Sequence, residues 1–68
     1  MDADQHRRFL NYLELRIYFP KRGAALNAET FALLDAELAG LLERERVGTI
    51  EAHDSPRIVE LRRLLLRD

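Results

Sequence analysis

The stretch Leu26 to Gly48, LNAETFALLDAELAGLLERERVG, constrains the chain more than any other, because it can hardly be anything but one long amphipathic helix. Asn27 is a favoured N-cap, whose side-chain oxygen can accept an orphan backbone N–H of the first turn. Leu26 before the cap and Phe31 at the fourth helical position can close a hydrophobic staple over it. Glu29 stands at the positive end of the helix dipole, Arg44 and Arg46 stand at the negative end, and Gly48 is the natural stop. Phe31, Leu34, Leu38, Leu41 and Leu42 fall on one face. Gly40 interrupts the pattern at a cost of about 1 kcal/mol relative to alanine, and is expected where another backbone passes close.

Around this helix the rest of the chain has to pack. Between Leu13 and Phe19, apolar Leu13, Leu15, Ile17 and Phe19 alternate with Glu14, Arg16 and Tyr18, and Pro20 closes the run. That period of two predicts a strand at about 12–19, preceded by a polar N-terminal arm over residues 1–8. A continuous helix over 4–19, started by Asp2 or Asp4 as N-cap, is the competing reading. Pro20-Lys21-Arg22-Gly23 is a turn signal. Thr49 and Ile50, bracketed by Gly48 and Asp54-Ser55-Pro56, predict a second short strand at about 48–53. Ser55 and Pro56 open a C-terminal helix over 56–67, with Ile58, Leu61, Leu64 and Leu65 on one side. The expected fold is therefore α+β, a small βαβ unit with a C-terminal helix, and the alternative is an all-α three-helix bundle.

Sixty-eight residues make one small domain. A compact monomer of this mass has a surface of ~4,400 Å² and buries ~60% of what the open chain exposes. Such a core gives ~100 kcal/mol, and ordering the chain costs about the same. Small domains this close to balance are commonly braced by disulfides, metals or association. Cysteine is absent and there are two histidines, so disulfides and thiolate zinc sites are excluded and no cofactor is expected. Association with a protein, self or foreign, is what remains, and 47% hydrophobic residues supply it. Eleven basic and twelve acidic residues leave a net charge of −1, which argues against a broad electrostatic footprint for nucleic acid or membrane. With no long apolar run and no signal-like start, a cytoplasmic location is expected.

Motifs of catalysis are sparse. Glu51-Ala52-His53-Asp54 unites a base with two acids, so His53 is the candidate for a minor enzyme reading; no serine or cysteine nucleophile accompanies it. The acids Asp35 and Glu37, or Glu43 and Glu45, stand two apart, point in different directions and read as solvated face. Arg7, Arg8, Lys21, Arg22, Arg62 and Arg63, with neighbouring tyrosines, are candidate nucleic-acid contacts for a small regulator. The apolar surplus carries the leading expectation. Leu33 and Leu66 fall off their helical stripes, and Tyr12 and Tyr18, with Arg16, would line the outer side of the first strand. Tyrosine and arginine are what interface centres are rich in. The chain is thus expected to be a non-enzymatic interaction module, a homodimer or a small adaptor, inhibitor or immunity-type partner, with Tyr12, Arg16, Tyr18, Leu33 and Leu66 as its contact residues.

Overall fold

A computed structural model describes residues 1–20 and 23–67. Lys21 and Arg22, two of the candidate nucleic-acid contacts, lie outside the described residues. Three helices follow one another: α1 (Ala3–Tyr18), α2 (Ala28–Arg46) and α3 (Ser55–Leu64), with a short 3₁₀ turn (Ala52–Asp54) leading into the last. Among the described residues there is no strand. The βαβ expectation is overturned in favour of the three-helix alternative.

The reason is visible at both supposed strands. Asp2 caps α1, its Oδ1 accepting the Gln5 N–H at 2.7 Å, and Asp4 favours the first turn electrostatically. Residues 3–8 are therefore the opening turns of a helix rather than an arm. From there Phe9, Tyr12 and Leu13 make a helical stripe that packs into the core, while Ile17 and Phe19 stay on the surface. Of the alternating residues only Leu13 joins the core. A helix also satisfies its own backbone groups, which a strand without a neighbour cannot do.

At the second site the chain is spent on closing α2. Gly48 takes φ 80, its N–H donates to the Glu45 carbonyl at 3.2 Å, and the Thr49 N–H donates to the Arg44 carbonyl at 2.9 Å. This is a Schellman closure, and it uses the backbone groups that a strand would have offered. Ile50 then turns inward against the core. The start of α2 is as expected, with Asn27 Oδ1 accepting the Thr30 N–H at 2.8 Å. Gly40 needs a different explanation from the one expected, because a Cβ there would meet nothing within 4 Å.

The core consists of Tyr12, Phe31, Leu38, Leu41, Ile58, Leu61 and Leu65. Phe31 is its centre, with the ring of Phe9 at 5.1 Å and that of Tyr12 at 5.4 Å. Close backbone packing joins α2 to α1 and α2 to α3, so the long helix is the middle of the molecule. No described helix is long and apolar enough to cross a membrane.

Candidate functional site

Asp35 occupies α2 one turn after Phe31 and one turn before Leu38, inside the apolar stripe, and is 2% exposed. It was expected on the solvated face, and that expectation is wrong. Its carboxylate is held from three directions. Arg8 of α1 forks onto it, Nε to Oδ1 at 2.9 Å and Nη2 to Oδ2 at 2.8 Å. Gln5 Nε2 donates to Oδ2 at 3.0 Å and also to the Ala32 carbonyl at 3.1 Å. Arg67, beyond the end of α3, donates through Nη2 to Oδ1 and lies over the Phe31 ring, 5.7 Å from its centroid.

Burial alone would push the Asp35 pKa up. The hydrogen bonds from Arg8, Arg67 and Gln5 outweigh it and hold the carboxyl at about 2, below its ordinary 3.8. A carboxylate whose lone pairs are all engaged has no room for a proton or a ligand. Its work is to tie both ends of the chain to α2. Arg8, a candidate nucleic-acid contact, is thereby committed to an intramolecular partner. Helical arithmetic could have found the site, since Asp35 is four residues from Phe31 and three from Leu38.

Arg67 reaches Asp35 because of the residue before it. Leu66 adopts φ 57, the left-handed region. The Arg67 N–H donates to the Arg62 carbonyl at 2.7 Å and the Leu66 N–H to the Arg63 carbonyl at 3.3 Å. This repeats the closure of α2 with leucine in the position that glycine normally takes, at a cost of about 1–2 kcal/mol.

The remaining arginines fall into two groups. Arg7 pairs with Asp4, Arg46 with Glu43 and Arg44 with Asp54 at 3.1 Å. Arg57 pairs with Glu60 and crosses from α3 to Glu37 of α2, Nη2 to Oε1 at 2.8 Å. Among the described residues, Arg16, Arg62 and Arg63 make no ion pair with a carboxylate. Arg16 and Arg63 share a groove of about 290 Å³ whose walls include Leu26, Leu64 and Leu66. Arg16 Nη2 donates to the Gly23 carbonyl at 2.6 Å, which steadies it there. The Tyr12 hydroxyl, at the base of the groove, accepts the Leu26 N–H at 2.9 Å.

The five expected contact residues do not form one surface. Tyr12 is buried in the core, not on an outer face. Leu66 is half-buried against that core and joins Arg16 at the groove. Leu33 is 68% exposed on α2, beside a second groove of about 500 Å³ lined by Met1, Ala32 and Ala36. Tyr18 is 69% exposed at the end of α1. Sequence reasoning missed its two companions, Ile17 and Phe19, at 75% and 65% exposure, because the strand reading turned them inward.

His53 lies in the 3₁₀ turn with Nδ1 3.3 Å from Glu51 Oε2 and Nε2 3.4 Å from Asp54 Oδ1. The acid–base cluster is thus assembled, but on an exposed turn outside the grooves described above. Among the described residues no group of three or more His, Cys, Asp and Glu side chains could hold a metal ion.

Fold and site together define a small three-helix domain knotted by a buried, fully bonded carboxylate. Comparison with protein-family models, with curated proteins and with solved structures found no match to the chain.

Proposed function

We propose that the chain is a non-enzymatic interaction module that covers its surplus apolar surface against another protein, a second copy or a larger partner. One observation carries this reading. The subunit exposes 4981 Å², on the order of 600 Å² more than the ~4,400 Å² of a compact monomer of its mass. Its radius of gyration is 12.6 Å, against about 11 Å for a globule of this length. The excess is of the order of the ~800 Å² that each partner buries in a standard interface. Exposed apolar side chains stand together at the end of α1, at Ile17, Tyr18 and Phe19. The proposed setting is the cytoplasm.

The test is sedimentation over a concentration series from about 5 to 500 µM. Self-association predicts an average mass that rises with concentration. The paired substitution Ile17→Glu and Phe19→Ser should return the protein to monomer with its helical dichroism intact. A wild-type monomer at every concentration overturns self-association and leaves a foreign partner as the remaining form of the reading.

A second reading, a small nucleic-acid-binding regulator, draws on a separate observation: Arg16 and Arg63 have no carboxylate partner among the described residues and border one groove. It predicts retention on a single-stranded DNA column that falls steeply with salt; flow-through at low salt removes it.

A further inference from the structure

We propose that the groove between the end of α1 and the end of α3 is a docking site for an acidic peptide segment, one that places a carboxylate between Arg16 and Arg63 and an aliphatic side chain against Leu26, Leu64 and Leu66. The proposal rests on the interaction reading and names the chemistry of the partner.

Charge complementarity identifies the occupant. Six of the described arginines already have carboxylate partners: Arg7, Arg8, Arg44, Arg46, Arg57 and Arg67. Of the nine described arginines only Arg16, Arg62 and Arg63 lack one, and two of those three border this groove. Arg16 is half-buried there and held by the Gly23 carbonyl, so the rotamer entropy that an incoming anion normally has to overcome is already reduced. The Tyr12 hydroxyl is 2.9 Å from the Leu26 nitrogen, from which it accepts. Tyr12 lines the groove, and its hydroxyl proton meets no acceptor among the described residues.

The walls decide between a peptide and a nucleic acid. Bases bind by stacking on open aromatic faces. The only ring in the lining is Tyr12, whose faces are taken up by the core, with Phe9 stacked at 6.4 Å and Phe31 at 5.4 Å. What remains open is leucine and alanine, which receive an aliphatic side chain and give nothing to a base. The backbone strain points to the same place. Leu66, at φ 57, lines the groove, and strain of this kind concentrates at binding sites.

The experiment is fluorescence anisotropy of the full chain with a short fluorescein-labelled peptide of leucine and glutamate. An otherwise identical peptide with glutamine for glutamate, and a labelled oligothymidylate, serve as comparison probes. The glutamate peptide should bind at least tenfold more tightly than the glutamine peptide. Arg16→Gln and Arg63→Gln should each weaken it about tenfold. Arg62→Gln, next in sequence to Arg63 but outside this groove, should leave it within twofold. Arg63 is exposed and has no carboxylate partner among the described residues, so its variant tests the site without disturbing the fold.

Binding of the oligothymidylate in preference to the peptide overturns the proposal in favour of the nucleic-acid reading. Equal loss in Arg62→Gln and Arg63→Gln overturns it in favour of diffuse charge. If the protein self-associates through Ile17 and Phe19 but ignores the peptide, the groove proposal fails while the interaction reading stands.

Discussion

Asp35 is the residue on which most of the packing turns, because it is a charge buried by design of its neighbours. Its carboxyl stays near 2 in the fold and near 3.8 in the open chain. The stabilisation it contributes is therefore full above about pH 4 and is lost as the pH falls through about 2, on the order of 2 kcal/mol in all. Urea titrations between pH 2 and 5 should show stability rising across that window. Asp35→Asn should flatten the rise and cost about 3 kcal/mol at neutral pH, since it leaves two arginines facing an amide. A flat acid limb in the wild type would contradict the assignment. The pairing of Asp35 with Glu37 two residues on suggests a solvated face, whereas its spacing from Phe31 and Leu38 puts it on the buried one. Gly40 was misread in the other direction. With open space around it, Gly40→Ala should stabilise the protein by about 0.5–1 kcal/mol in the same titrations.

At the scale of elements, α2 was legible from its ends inward. Asn27, Phe31, Leu38, Leu41 and Gly48 each do what their spacing implied. The element before it was not legible as a single answer. Leu13, Leu15, Ile17 and Phe19 alternate, and alternation over seven residues is a strand signal unless something tips the balance. What tips it is the local Asp2 cap together with a tertiary contact, the stripe of Phe9, Tyr12 and Leu13 that only a helix can aim at α2. Asp2→Ala should therefore cost about 1 kcal/mol and fray the start of α1, read as faster hydrogen exchange over residues 3–7. Unchanged exchange there would mean that tertiary packing alone holds the helix. Thr49 and Ile50 are β-branched, yet the Schellman closure at Gly48 uses the backbone that a strand would need. Competition from helix capping is what single-residue propensity fails to register. The groove flanked by Arg16 and Arg63 was out of reach of the sequence, because it depends on helices whose relative placement only the fold supplies.

For the whole molecule, the subunit exposes 4981 Å², more than the ~4,400 Å² of a compact monomer of its mass. If the subunit completes itself with another copy, its melting temperature should climb with protein concentration, by several degrees between about 5 and 500 µM. A midpoint independent of concentration would place the stability wholly within the single chain. The interior is otherwise closed, with no buried side-chain polar atom left without a partner among the described residues. The last of those partners lies beyond α3. Arg67 supplies one of the hydrogen bonds on Asp35 and covers the Phe31 ring, so a chain cut back to residue 64 keeps the Arg8 and Gln5 contacts but leaves one acceptor site of a buried carboxylate empty and the ring uncovered on that side. Trimming those last residues should lower the urea midpoint while the helical dichroism persists.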